Sequence, residues 1–167
     1  MKKIENILSE QLLQECIDST KEKLQTRYCW GVDIFNWPND LKKGTTGMCL
    51  FSLAKDDLAR KIESEIKHHL PDYQGLMVQH YIWTQGSGIA RHNDGNYKFG
   101  LTIYLNEKWD IDYGGIFLWK EKDAEKYHVI CPEFNTGVLN DDATFHMVTP
   151  IALDAPELRV TIQIWGM

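Results

Sequence analysis

The spacing of hydrophobic and polar positions changes once along the chain, near residue 76. Before that point apolar residues recur at helical intervals. Leu12, Leu13, Cys16 and Ile17 follow Ser9, a residue type that caps helices by accepting a hydrogen bond from the first turn. Leu58, Ile62, Ile66 and Leu70 form a strict i, i+4 stripe that predicts a helix over 56–69. His68 and His69 fall in its last turn, where a cationic side chain complements the helix dipole, so a structural role is assigned to both. The intervening CWGVDIFNWPNDLKKGTTG, residues 29–47, reads as irregular structure or a short hairpin. Its Trp30, Phe35 and Trp37 either pack on the core or face a ligand as part of a lid.

From Leu76 onward the pattern is that of strands. LMVQHYIW, GLTIYLN, GGIFLW, YHVI, TGVL, FHMV and RVTIQIW are short, β-branched or aromatic, and separated by Gly, Asn, Asp or Pro. No helical pattern lies between them, which points to a sandwich or jelly roll. The expected fold class is α+β in a single domain spanning 1–167. A double-stranded β-helix (jelly-roll) core occupies 76–167, and residues 1–75 pack against it as mainly helical support and a possible substrate lid.

Composition narrows the function without naming it. A chain of 167 residues with 43% hydrophobic and 25% charged content suits one soluble globular core. The net charge of −6 argues against general nucleic-acid binding, which needs a basic face. There is no apolar run of about 18 residues to span a bilayer, and the first 20 residues lack the apolar centre of a signal peptide. Cys16, Cys29, Cys49 and Cys131 form no C-x-x-C pair; reduced thiols and a cytoplasmic location are expected.

The candidate chemistry begins at GSGIARHNDG, residues 86–95. Residues i and i+2 of a strand share a face, so His92 and Asp94 could reach one ion. Open iron(II) sites use two histidines and one carboxylate. For the third ligand, His80 alternates with Tyr81 on a strand, so one of the two faces inward. His128 lies in the charged EKDAEKYHVI hairpin and looks to solvent, which leaves His146 in FHMV as the best candidate. After Lys126 the only Lys or Arg is Arg159, opening the apolar RVTIQIW. A lone arginine there should pair with an anion, and its fork can hold a carboxylate through two parallel bonds. The turn through DAPE is expected to place His146 and Arg159 on neighbouring strands. Iron at one end and arginine at the other fit a dicarboxylate that chelates the metal.

Residues 76–166 resemble the 2-oxoglutarate and iron(II)-dependent dioxygenases, in particular their prolyl 4-hydroxylase-like branch. HYIW, GSGIARHNDG, TIYLNEKWD, GGIFLW, CPEFNTGVL, FHMVTPI and RVTIQIW recur in the family's order. GSGIARHND followed by IYLNEKWD is similar to the prolyl hydroxylases that modify hypoxia-inducible factor. The resemblance implies iron(II) on His92, Asp94 and His146, with 2-oxoglutarate chelating it and placing its far carboxylate on Arg159. It implies a hydrogen bond from Tyr104 to that carboxylate, with Tyr81 lining the same pocket and Trp165 closing its wall. Thr161 shares a face with Arg159 and either adds a hydrogen bond or packs the strand. Oxygen is the oxidant, and ascorbate could play a supporting part.

Two features depart from the family's pattern. His146 and Arg159 are 13 positions apart, longer than usual, and GVLNDD lacks the aromatic residues often found before the distal histidine. Related halogenases carry a small residue in place of the carboxylate, so Asp94 favours hydroxylation. The implied reaction converts C–H to C–OH with release of succinate and carbon dioxide. The expected substrate is a prolyl residue in a peptide or protein, the alternative a free amino acid or peptide-like small molecule, with Arg91, Trp30 and Trp37 as contacts. The rivals are a non-catalytic jelly-roll binding module and a cofactor-independent cupin-type dioxygenase, for which Arg159 and Tyr104 would have no purpose.

Overall fold

The structure, a computed structural model, describes residues 1–26, 29–33 and 37–167; Phe35 lies outside them. The elements in chain order are β1 (Lys2–Glu5), α1 (Glu10–Gln25), β2 (Gly31–Val32), α2 (Asn39–Gly44), β3 (Cys49–Leu53) and α3 (Asp56–Ile66). They continue as β4 (Leu76–Trp83), β5 (Ile89–His92), β6 (Phe99–Tyr104), β7 (Phe117–Trp119), β8 (His128–Ile130), β9 (Thr136–Asn140), β10 (His146–Val148) and β11 (Arg159–Gly166). Two antiparallel sheets result, a larger one in the order β1-β9-β6-β11-β4-β3-β2 and a smaller one in the order β5-β10-β7-β8.

Alternation along the central strands divides the larger sheet into two faces. Val78 on β4, Phe99, Leu101 and Ile103 on β6, and Ile162 and Ile164 on β11 pack with Leu12, Leu13, Cys16, Leu58, Ile62 and Ile66 of α1 and α3. The intervening residues of the same strands, among them Tyr81, Trp83 and Tyr104, face the smaller sheet and cluster with Phe117, Trp119 and Val148. The helices thus brace the back of the sheet, and the two sheets enclose the space in front of it.

Ser9 caps α1 by accepting from the Leu12 N–H at 3.3 Å. Its own N–H and hydroxyl donate to the Glu65 carboxylate at 2.8 and 2.7 Å, tying α1 to α3. The stripe expected to run to residue 69 is helical through Ile66 and then tightens into a 3₁₀ turn over Lys67–His69. Burial and the neighbouring His68 lower the pKa of His69, which disfavours the protonated form that complementing the helix dipole requires.

Two sequence expectations need correction, and a third is extended: residues 1–75, read as mainly helical, also add β1 and β3 to the larger sheet. Such short segments carry little periodicity; pairing with distant strands makes them strands. Residues 29–47 contain the short helix α2, with Asn39 and Asp40 opening it after Pro38. His146 and Arg159 are not on neighbouring strands: β10 pairs with β5 and β7, whereas β11 pairs with β4 and β6. The chain crosses from one sheet to the other in the DAPE segment, so the two side chains meet the same space from opposite walls.

Candidate active site

The metal-capable cluster is built on the smaller sheet. His92 ends β5 and lies directly across from His146 on β10. Asp94 follows two residues later, its carboxylate oxygens 3.6 Å from His92 Nε2 and 3.5 Å from His146 Nε2. One ligand atom from each of the three residues lies within 4.8 Å of the others. His92 Nδ1 sits 2.8 Å from the Ala90 carbonyl, and His146 Nδ1 sits 3.0 Å from that of Thr144. Each Nδ1–H donates to its carbonyl, which directs the lone pair of each Nε2 toward Asp94 and toward an ion. Asn140 clamps the turn before His146, accepting from the Thr144 N–H at 3.0 Å and donating to its carbonyl at 3.2 Å. Phe117 stacks on the His146 ring at 4.9 Å. Burial, with a further contribution from His146, lowers the His92 pKa to about 4 against the opposing pull of Asp94. The imidazole is therefore neutral at pH 7, the form that ligates metals.

The larger sheet approaches this cluster at Gly100. A Cβ there would lie 3.1 Å from Asp94 Oδ2 and 2.8 Å from the Trp165 ring. Glycine is what lets the two sheets close on the carboxylate.

The other end of the space is an arginine with no counter-charge among the described residues. Arg159 is 1% exposed. Its guanidinium carbon rests 5.4 Å from the Trp83 ring centroid and 5.1 Å from that of Tyr104. No carboxylate among the described residues forms an ion pair with it. Arg159 Nε, Tyr104 Oη and Thr161 Oγ1 are all buried without a hydrogen-bond partner. Burial raises the Tyr104 pKa and lowers that of Arg159, while the attraction between the two opposes both shifts. Three orphaned polar atoms at one point are costly unless a ligand satisfies them. A carboxylate, with two acceptor oxygens, has the complementary chemistry. Gly115, at φ +63°, leaves the room this needs, since a Cβ there would lie 2.8 Å from Arg159 Cδ.

A cavity of about 550 Å³ joins the two ends and is lined by the three metal-capable residues, Arg159 and Thr161. Tyr81 lines it too, and its hydroxyl donates to Asp33 Oδ2 at 2.6 Å. Burial and the Asp33 charge push the Tyr81 pKa up, so the phenol stays protonated. Trp37 Nε1 donates to the same Asp33 oxygen at 3.0 Å, which ties the segment after β2 to the cavity floor.

The remaining candidates divide. Trp165 lines the cavity beside Asp94, not beside Arg159, and it stacks on Tyr97 at 4.6 Å. Arg91 stands at the rim with its guanidinium 4.2 Å from the Phe145 ring centroid. Trp37 lines the cavity; Trp30 does not, because its indole donates to the Lys23 carbonyl at the end of α1. His80 faces the helices, next to Thr20, while Tyr81 faces the cavity. His128 is exposed and stacks on Trp119. Asp33 was not read as a site residue. It sits among the aromatic and glycine residues of a segment whose fold depends on pairing with β3, and nothing local distinguishes it from a turn aspartate.

Comparison with known proteins follows the same division. The sequence profile of the 2OG-Fe(II) oxygenase superfamily matches residues 76–167. No curated protein matches the chain in sequence. Among solved structures, a prolyl hydroxylase from Trichoplax adhaerens, in complex with a peptide fragment of the hypoxia-inducible factor oxygen degradation domain, aligns at TM-score 0.76 and 21% identity. That alignment covers 99% of this chain and 82% of the other. A prolyl-4-hydroxylase from Pseudomonas putida aligns at TM-score 0.69 and 14% identity over 99% and 90% of the two chains. The epimerase SnoN from nogalamycin biosynthesis, in complex with Fe³⁺, α-ketoglutarate and nogalamycin RO, aligns at TM-score 0.66 and 9% identity over 99% and 77%. The likeness to these structures is one of fold, whereas the profile spans the strands that carry the triad, the arginine and the phenols: the chain belongs to the 2OG-Fe(II) oxygenase superfamily, enzymes that use iron(II), 2-oxoglutarate and oxygen.

Proposed function

We propose that the protein hydroxylates a C–H bond of a prolyl residue in a peptide or protein. The observation that carries the oxygenase chemistry to these residues is the orphaned set of Arg159 Nε, Tyr104 Oη and Thr161 Oγ1, of which Arg159 and Thr161 line one cavity with a convergent His-Asp-His group. His92, Asp94 and His146 would hold iron(II), and Arg159, Tyr104 and Thr161 the far carboxylate of 2-oxoglutarate. When bound, iron and 2-oxoglutarate supply the oxidation: oxygen is consumed, succinate and carbon dioxide leave, and C–H becomes C–OH.

The chain's own residues do the rest. The Ala90 and Thr144 carbonyls keep the two imidazoles in the ligating tautomer. Arg159 neutralises a carboxylate in a dry setting, where its two-pronged geometry fixes orientation. Phe117, Trp165 and Trp83 exclude water from the space between. Support for a peptide substrate comes from the fold shared with the T. adhaerens enzyme and its bound peptide. A second reading is a free amino acid or peptide-like small molecule; the likeness to SnoN with its bound nogalamycin RO supports it only in that this fold also accepts a small molecule.

Anaerobic titration with iron(II) and then 2-oxoglutarate tests the site, with a weak visible charge-transfer band as the expected signature of a chelated keto acid. Mass spectrometry then seeks a gain of one oxygen on prolyl peptides and on free amino acids. Failure to bind 2-oxoglutarate after iron loading removes the oxygenase assignment of these residues. Turnover of free amino acids but of no peptide favours the second reading.

A further inference from the structure

Between the metal-capable cluster and the arginine lies a row of polar side chains that neither end uses. Thr102 on β6, Gln163 on β11 and Gln79 on β4 are direct cross-strand partners, and all three line the cavity. The row stands one side-chain step from Tyr104, Thr161 and Tyr81 on one side, and one step from Gly100, Trp165 and Met77 on the other. Gln79 is 6% exposed and Gln163 is 8% exposed. Thr102 Oγ1 donates to Gln163 Oε1 at 2.7 Å, which fixes the Gln163 carboxamide and leaves its NH₂ without a hydrogen-bond partner among the described residues. The Gln79 carboxamide makes no hydrogen bond with any described residue. The two glutamines are more than nine-tenths buried as residues, and their unpaired amide atoms open onto the cavity, where they offer donors and an acceptor to a polar occupant.

We propose that Gln79 and Gln163 form a carboxamide subsite that hydrogen-bonds an amide of the substrate, and so selects an amide-flanked residue over a free amino acid. This rests on the oxygenase reading above and sharpens its choice of substrate. A glutamine offers N–H and C=O together, the complement of a peptide unit. 2-Oxoglutarate does not need the pair, because its far carboxylate finds Arg159, Tyr104 and Thr161 and its other end goes to the metal. Gln79 lies on the outer side of the row: β4 borders β3, and beyond it the segment carrying Trp37 and Leu41, which line the same cavity. The charges lining the cavity argue in the same direction. Among the described residues, the arginines that line it are Arg159, which serves the co-substrate, and Arg91, exposed at the rim against Phe145. A free carboxylate drawn into the middle of the cavity would meet no further lysine or arginine among the described residues, and Asp33 and Asp94 would repel it. A neutral amide avoids that cost.

The test uses the full chain loaded anaerobically with iron(II) and 2-oxoglutarate. Binding of a panel of N-acetyl amino-acid N-methylamides is measured beside that of the corresponding free amino acids, by calorimetry and by perturbation of the visible band. At least one capped member, with proline the first choice, is expected to bind about tenfold more tightly than its free counterpart. Gln79→Met is expected to remove most of that preference while the 2-oxoglutarate Kd stays within about twofold, which also reports that the variant is folded. Gln79→Glu, which loses the donor and adds charge, should weaken the capped probe further. Free amino acids binding as tightly as their capped forms would overturn the subsite while leaving the oxygenase reading standing. A parallel loss of 2-oxoglutarate affinity in Gln79→Met would reassign the pair to the co-substrate. Absence of 2-oxoglutarate binding in the unsubstituted protein would instead remove the reading on which the subsite rests.

Discussion

Along β11, Val160, Ile162 and Ile164 enter the face covered by helices, while Arg159, Thr161, Gln163 and Trp165 enter the cavity. The first set is apolar and close-packed. The second carries a buried charge and a buried hydroxyl without a partner. One strand therefore contributes stability from one side and exposes costly, unsatisfied groups on the other. A register slip of one residue would exchange the two sets, so the packing of the back face is what holds the front face in an arrangement it would not choose for itself. Substitutions on the front should then change ligand binding with little loss of fold, and those on the back should do the reverse.

The largest effect is expected from Asp94→Ala. Removing the one carboxylate between two Nε2 atoms should abolish product formation and iron(II) binding while the melting temperature changes by only a few degrees, since Asp94 contributes no apolar side chain to either core. Metal titration and thermal unfolding check both halves. Turnover at the original rate would place the iron elsewhere, and loss of fold would make Asp94 structural. Ile162→Ala is the counterpart on the back. Ile162 is fully buried against the helices, and truncation should cost about 2–5 kcal/mol in denaturant unfolding. Iron and 2-oxoglutarate affinities of the folded fraction should hold; if they fall with stability, the two faces are not separable.

His80 is the polar exception on the back face. Its Nδ1 lies 2.7 Å from Thr20 Oγ1, whose own proton goes to the Cys16 carbonyl, so Nδ1–H donates. Nε2 is then left to accept from Ser19 at 3.3 Å. Both nitrogens are satisfied in the neutral form. Burial, aided by the Lys23 charge, lowers the His80 pKa to about 4 from the model-peptide 6.5. Because the folded value lies below the unfolded one, the unfolded chain binds the proton first, and stability falls as pH drops from 6.5 to 4. The full drop is roughly 3 kcal/mol. Unfolding free energies of His80→Gln across that interval should lack this share of the slope; an unchanged slope would assign it to other groups.

The parts of this division that could be read from the sequence are those with local or compositional signals. His92 and Asp94 are two positions apart at the end of one strand, and Arg159 is conspicuous as the last cation of the chain. The i, i+4 stripe of α3 and the alternation of β4 and β11 are equally direct. What escaped depends on contacts distant in sequence. β3 is a strand because β4 lies beside it, and Asp33 reaches Tyr81 across 48 residues. Nothing in FHMV or RVTIQIW says that the chain changes sheets between them, which is why His146 and Arg159 looked like neighbours. Gln79 and Gln163 gave no signal because a glutamine on a strand ordinarily faces water. Only the pairing of β4 with β11 places them opposite each other under cover.

Arg159→Lys tests the far end of the front face. Lysine keeps the charge and loses the fork, so one charge-assisted bond is lost. At about 1.5–3 kcal/mol per such bond, the 2-oxoglutarate Kd should weaken roughly ten- to a hundredfold. Iron(II) affinity should hardly move, because the arginine stands at the other end of the cavity. Equal losses for both ligands, or a loss for neither, would mean that Arg159 holds something else.

The smallest change expected has opposite signs on the two quantities, which makes it the sharpest probe of the comparison. Thr161 is 1% exposed and its hydroxyl has no hydrogen-bond partner. Valine has nearly the same shape, so Thr161→Val removes a buried polar group without opening a cavity. In the ligand-free protein this should raise stability by about 1 kcal/mol, since an unsatisfied buried hydroxyl carries a desolvation cost of roughly 1–3 kcal/mol. With 2-oxoglutarate the same change deletes a neutral hydrogen bond, and the Kd should weaken by a factor of about 2 to 12. Thermal melts with and without co-substrate should therefore cross: the variant melts higher alone, and gains less from saturating ligand. If Thr161 merely packs the strand, the melting temperature of the variant will move without any change in co-substrate affinity. If the hydroxyl is satisfied in solution before the ligand arrives, the ligand-free gain will be missing. Either result would take the front face out of the class of surfaces held unsatisfied for a ligand, at the one position where the substitution leaves shape unaltered.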